Sequence, residues 1–222
     1  MAFVSKHADW LLCLLLAVLF VLWPQLDLWF SALFYDAQLQ TWTYGKHPIN
    51  ESIYWLFRYL PHFLLPLMLL TLLTSFFRGG MSPTLRRPWL FLLLVLLIGP
   101  GLLVHNVFKP TFDRERPRAV AEFDGRGQFT PAFVINEACP RSCASFVSGH
   151  AAMAFFFMSL AWIFRRRAWL WWGIGAGVVM SVVRIMQGGH FLSDTVFAGF
   201  VVYFTCRLLS YWFFGYSRIR PS

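Results

Sequence analysis

Long apolar runs separated by short polar connections leave few folds open to this chain. They cover residues 10–23, with an extension past Pro24 toward residue 34, then 53–77, 89–108, 150–164, 168–186 and 191–214. A helix crosses a hydrocarbon core in about 20 residues, and most of these runs approach that length. Within lipid every backbone amide needs a partner in its own segment, so helices are the expected form. Buried helices of a soluble protein would need amphipathic partners to cover them. With 58% hydrophobic and 13% charged residues among 222, the chain has none; soluble domains carry about a quarter charged residues. The sequence therefore predicts an all-α, polytopic membrane protein, a single domain over 1–222 with six transmembrane helices. The first run follows Lys6 but is not followed by a small-residue cleavage site, so an uncleaved first helix is expected rather than a signal peptide.

Charge orients this bundle. Lys and Arg number 19 against 10 Asp and Glu, a formal net charge of +9. A nucleic-acid binder would place such charge on a polar surface, and there is little here. Cations in short loops mark the cytoplasmic side. Lys6, then Arg78, Arg86 and Arg87, then Arg165, Arg166 and Arg167, and finally Arg218 and Arg220 all fall on one side of a six-span chain. Both termini are thus expected in the cytoplasm, with the first, third and fifth loops outside. The third loop, 109–148, breaks the pattern. It holds Lys109, Arg114, Arg116, Arg118, Arg126 and Arg141 on the side where cations are scarce, partly balanced by Asp113, Glu115, Glu122, Asp124 and Glu137. A loop this long in a compact protein is usually functional.

Three clusters carry chemistry. KPTFDRERP spans 109–117, SFVSGH spans 145–150, and RIMQGGHFLSD spans 184–194. The predicted topology, drawn without reference to them, puts all three at the outer face. Lys109, Arg116 and Arg184 are fixed cations, and Arg presents paired donors that match two phosphate oxygens. Ser148 and Gly149 open a helix, where a hydroxyl and free backbone amides attract an anion. His150 and His190 are the only side chains in these clusters that titrate near neutral pH. His190 and Asp194 lie four apart, on one face if a helix starts there. A carboxylate bonded to one ring nitrogen fixes the tautomer and leaves the other nitrogen free to attack. These residues suit phosphoryl transfer. His190 attacks phosphorus, Asp194 orients it, and His150 protonates the leaving alkoxide and then activates water. The cations stabilise the charged transition state, so neither a metal nor another cofactor is expected.

Taken together, the clusters resemble the type 2 phosphatidic acid phosphatase superfamily of membrane lipid phosphatases. Its pattern reads K-x6-R-P, then P-S-G-H, then S-R-x5-H-x3-D. Lys109 to Pro117 match the first part, Ser148, Gly149 and His150 the second, and Arg184, His190 and Asp194 the third. Val147 stands where the pattern has Pro, and Val183 where it has Ser. The resemblance covers about half the chain and implies a six-helix core and the roles above. The stretch from Phe129 through Cys139 and Cys143 to Ser148, the Gly99-Pro100-Gly101 run, and Gln187 to His190 are similar to the lipid A phosphatases, particularly the 4′-phosphatase branch. That likeness implies a phosphorylated lipid substrate, lipid A 4′-phosphate, at the periplasmic face of a bacterial inner membrane. Undecaprenyl pyrophosphate and phosphatidylglycerol phosphate phosphatases share the core motif, and a phosphotransferase would use the same first step.

Further candidates are weaker. Cys139 and Cys143 lie in the outward loop, where a disulfide and two free thiols are both open readings. No second ligand pair accompanies them to make a zinc site. His105 sits one turn below Lys109, and Arg58 lies in the outer half of the second span; both are candidate headgroup contacts. A transporter would need ionisable residues and broken helices at the midplane, whereas here the reactive groups gather at the outer ends.

Overall fold

The computed structural model describes residues 2–77, 82–137, 139 and 143–219; Arg78, Arg141 and Arg220 lie outside these, and so does the side chain of Lys6. Helix α1 (Ala2–Leu22) and α2 (Gln25–Ala32) are bent by 85° at Pro24, where the ring removes a backbone donor and interrupts the helical ladder. A two-stranded antiparallel hairpin follows, β1 (Tyr35–Asp36) and β2 (Thr41–Trp42), with Tyr35 opposite Trp42. The expectation of a purely helical chain needs that small correction.

Then come α3 (Pro48–Phe77) and α4 (Pro83–Leu96), the latter widening into a π-helical stretch at Leu97–Phe108 and closing in α5 (Lys109–Phe112). Pro100, flanked by two glycines, lies in the widened part and has no N–H to donate. Helix α6 (Gly149–Phe155) leads through a 3₁₀ turn (Phe156–Ser159) into α7 (Leu160–Phe164), and α8 (Arg167–Met186) and α9 (Leu192–Phe214) complete the bundle.

Among the described residues, four helical segments are long and apolar enough to cross a membrane: Pro48–Phe76, Thr84–Ala119, Arg167–Met186 and Leu192–Phe214; a fifth is counted if α1 and α2 form one broken span. The remaining expected span, Gly149–Phe164, is a shorter apolar helix. Its first turns are almost entirely buried, as is Trp162, so it occupies the middle of the bundle rather than its lipid face. Helix α8 approaches it closely at Gly173, where a Cβ would lie 2.3 Å from the Met158 amide nitrogen. By contrast α3 buries only 11% of its apolar window, and Leu56, Phe63, Leu67, Leu70 and Leu73 face outward as lipid-exposed side chains do.

Chain direction sorts the ends. The C-terminal end of α5, the start of α6, the end of α8 and the start of α9 meet at one end of the bundle. Arg86, Arg87 and Arg165–Arg167 lie at the other, where Arg207 of α9 pairs with Asp9 of α1. Residues 109–148 are not an open loop. They contain two 3₁₀ turns and a Val120–Gly127 bridge, and Phe123 packs with Tyr35 and Trp42 at centroid distances of 5.3 Å, tying the hairpin to the loop.

Candidate active site

Four helix ends deliver the side chains. His190 sits in the tight turn between α8 and α9 and is 2% exposed. Its Nδ1 lies 2.9 Å from the Ser145 carbonyl oxygen and 3.6 Å from Asp194 Oδ2. The expected direct carboxylate–imidazole bond is thus replaced by a backbone acceptor, since 3.6 Å is beyond hydrogen-bond reach. The consequence for the ring is the same: Nδ1–H donates, and Nε2 keeps the lone pair. Burial pushes the pKa of His190 down to about 3, with Arg184 and Lys109 adding to it and Asp194 opposing, so the free imidazole is neutral.

Asp194 is fully buried and saturated. Its Oδ2 accepts from the Ser145 hydroxyl at 2.5 Å and the Phe191 amide at 2.8 Å, and its Oδ1 accepts from Arg114 Nη1 at 2.7 Å. Arg114, equally buried, also donates to Asp27 Oδ2 at 2.8 Å, Ser193 Oγ at 2.8 Å and the Thr130 carbonyl at 2.7 Å. Asp27 in turn accepts from the Ser193 amide and hydroxyl. A buried carboxylate–guanidinium–carboxylate chain therefore runs from α2 to the base of His190. Its hydrogen bonds satisfy the charges that low dielectric would otherwise penalise.

On the facing side, Ser148 caps α6, its hydroxyl accepting from the Ala151 amide at 3.3 Å. Its own amide donates to the Asp194 carbonyl at 2.9 Å, so of the two amides expected to face an anion only that of Gly149 remains, in a first helical turn that provides it no partner. A Cβ on Gly149 would lie 2.9 Å from His105 Nε2 and 3.5 Å from Lys109 Nζ, which places both side chains against this turn.

His150 stacks on Tyr54 at 4.7 Å, and its buried Nε2 has no hydrogen-bond partner among the described residues. The same holds for Nε of Arg184, whose guanidinium lies 4.9 Å from the Tyr54 ring centroid and bonds Gln187 Oε1 at 2.5 Å. Gly188 adopts φ +58°, and a Cβ on Gly189 would lie 2.2 Å from Arg184 Nη2, so the paired glycines make room for that guanidinium. Buried polar atoms without partners are rare, and these two, both on side chains packed against Tyr54, suit a ligand that enters from the cleft.

Arg116 reaches the same cleft, which Arg184 and Tyr54 also line. Arg58 bonds the Tyr54 hydroxyl at 2.6 Å and covers Trp55, so it meets the site through Tyr54. Cys139 and Cys143 are joined, and Asp113 Oδ1 accepts from the Cys143 and Ala144 amides just before Ser145. Asp113 and the two sulfurs lie within 4.8 Å of one another, but sulfurs bonded to each other present no thiolate to a metal.

The sequence clusters thus converge at one end of the bundle: Arg116 and Arg184 line the cleft, while Ser148, His190 and Asp194 are buried behind it and Lys109 lies against the turn at Gly149 and His150. Reading by motif assigned no role to Asp27, Tyr54, Ser145 and Ser193, and counted Arg114 only among the cations of the third loop. An acid in an apolar run was the available signal for Asp27; Tyr54 carried none.

The family profile described as the PAP2 superfamily matches residues 88–218, the segment that carries all three clusters. A protein of Francisella tularensis subsp. novicida (strain U112) named lipid A 4′-phosphatase is 34% identical over 195 residues, covering 86% of this chain and 87% of the relative. One of the same name from Rhizobium etli is 30% identical over 201 residues, covering 83% of this chain and 77% of the relative. A Rhizobium leguminosarum protein, also so named, is 36% identical over 106 residues, less than half of either chain. No solved structure matches. With the profile spanning more than half of the chain and these relatives aligned along most of it, the chain belongs to the PAP2 superfamily.

Proposed function

We propose that this protein is an integral-membrane lipid phosphatase that hydrolyses the 4′-phosphate monoester of lipid A through a phosphohistidine. The observation that carries the reading is the pair of unpartnered buried nitrogens, His150 Nε2 and Arg184 Nε, beside the neutral His190. Together they define a pocket for a tetrahedral oxyanion.

In the first step His150 is protonated as the phosphate anion binds; His190 Nε2 attacks phosphorus while the P–O bond to the sugar breaks and the His150 proton passes to the departing oxygen. The Ser145 carbonyl and, behind it, the Asp194 carboxylate stabilise the positive charge that develops on the His190 ring. Lys109, Arg116, Arg184, the Ser148 hydroxyl and the Gly149 amide hold the equatorial oxygens. In the second step His150 takes a proton from water, the hydroxide attacks phosphorus, the P–N bond breaks, and inorganic phosphate leaves. The protein's own cations supply the charge stabilisation, so the scheme uses no metal or cofactor.

The fold supports a topology of six crossings, with α1–α2 as a broken first span and Gly149–Phe164 as a short central one. Arginines at the end remote from the site face the cytoplasm with both termini, and the site opens to the periplasm of a bacterial inner membrane. Incubation of purified protein with lipid A in detergent tests the reaction. The expected result is stoichiometric release of inorganic phosphate and loss of one phosphate from the distal glucosamine by mass spectrometry. Release only in the presence of a lipid acceptor would instead establish a phosphotransferase. Activity confined to undecaprenyl pyrophosphate or phosphatidylglycerol phosphate would overturn the substrate.

A further inference from the structure

The opening above the phosphate pocket is far larger than a phosphate. It forms a cleft of about 780 Å³, continuous with Arg184, Arg116 and Tyr54; ligand sites for whole organic molecules run from about 300 to 1,000 Å³. Its outer wall comes from Gln40 to Trp55, ahead of residue 88 where the shared family segment begins. This wall is held in place. Thr43 and Gly45 donate backbone hydrogen bonds to the Phe34 and Trp42 carbonyls, and buried Asn50 donates to the Tyr44 carbonyl at 2.8 Å. Trp42 is wedged against Gly188, where a Cβ would lie 2.3 Å from its indole.

Two cations line the cleft beyond those that surround the phosphate pocket. Lys46 stands on the wall and Arg118 on the 3₁₀ turn opposite, and neither side chain has an ion-pair or hydrogen-bond partner among the described residues. The Arg118 backbone is fixed by its amide, which donates to the Gly188 carbonyl at 3.0 Å and so ties this arginine to the turn that carries His190. Glu51, Gln40, Trp42 and Trp55 complete the lining, which offers acceptors for sugar hydroxyls and some apolar surface beside them.

We propose that Lys46 and Arg118 form a second anion subsite, which binds a further phosphate or carboxylate on the same sugar headgroup whose phosphate is removed. The proposal rests on the lipid phosphatase reading and deepens it. The enzyme selects a headgroup with two anionic groups, using a wall that the shared family segment does not provide.

The test compares two lipid-linked disaccharides in detergent micelles, one phosphorylated at both ends and one carrying only the scissile phosphate. The full-length protein, a K46A/R118A double variant and an R126A control, which alters an exposed arginine outside the cleft, are assayed for phosphate release. Wild type and R126A should prefer the doubly phosphorylated substrate. The double variant should lose about tenfold or more in kcat/KM on it, through KM, because charge-assisted contacts are removed. On the singly phosphorylated substrate the double variant should match wild type. Equal wild-type turnover of both substrates, or an equal loss on both in the double variant, would overturn the subsite. A loss on the singly phosphorylated substrate that appears only when phosphatidylglycerol is added to the micelles would assign the second anion to a neighbouring lipid and refute the shared headgroup. No phosphate release from either substrate by wild type would refute the phosphatase reading itself, and the subsite with it.

Discussion

His190 is where burial and chemistry meet most directly. A neutral imidazole is the form that attacks phosphorus, and burial keeps it neutral. Replacement by Gln should cut phosphate release by at least about a thousandfold while membrane expression stays normal; full activity in that variant would remove His190 as nucleophile. The same burial has a stability signature. The folded-state pKa, about 3, lies below the ordinary value of 6.5, so between these values the unfolded chain binds the proton more readily. Stability must fall as pH drops below about 6.5, and His190→Gln lacks this contribution. Thermal unfolding in detergent at pH 7.5 and pH 5 should show wild type losing more than the variant. Gly189 acts through its missing Cβ. Gly189→Ala would place a methyl 2.2 Å from Arg184 Nη2, displacing that guanidinium and lowering kcat/KM by about a hundredfold, the scale of one lost oxyanion donor, with little change in thermal stability.

Short helix α2 earns its place through the bend at Pro24. The turn of 85° carries Asp27 out of the direction of α1 and onto Arg114 and Ser193, behind the Asp194 carboxylate. Asp27 touches no reacting atom and is a positioning residue. Asp27→Asn removes one charge of a buried pair, which costs about 3 kcal/mol and should lower the unfolding midpoint. Because the change also loosens the Arg114–Asp194 contact beneath His190, kcat should drop while KM stays within about twofold, the pattern of an interaction expressed mainly in the transition state. An equal change in KM and none in kcat would reduce Asp27 to a packing role. Helix α6 shows the contrast: it packs on α8 and α9 in the bundle centre and gives way to a 3₁₀ turn at Phe156, while lipid-facing α3 runs unbroken over Pro48–Phe77.

At the scale of the whole molecule, the proposed orientation can be checked with cysteines introduced at Gln40, on the hairpin beside the cleft, and at Arg166, at the opposite end. A membrane-impermeant maleimide applied to intact spheroplasts should label the first and spare the second until the membrane is opened; the reverse pattern would invert the topology.

Much of this protein was legible in its sequence because lipid imposes a simple rule. Backbone groups must pair locally, so apolar length announces helices, and fixed spacing of Lys, Arg, Ser, Gly, His and Asp announces the PAP2 superfamily. Helix count was less legible: hydropathy cannot see a bend at Pro24 or separate a short central helix from a full span. Arg114 reads in sequence as one more loop cation, yet it is buried between Asp27 and Asp194, residues 167 positions apart in the chain by number and joined only by folding. Likewise Nδ1 of His190 finds the Ser145 carbonyl rather than the carboxylate four residues on. Local pattern was enough to nominate the proposed reacting groups and to place the chain in its family, because both depend on residue type and spacing. Their partners, the room around them and the wall of the cleft depended on three-dimensional packing, because burial and hydrogen-bond geometry belong to segments far apart in the chain.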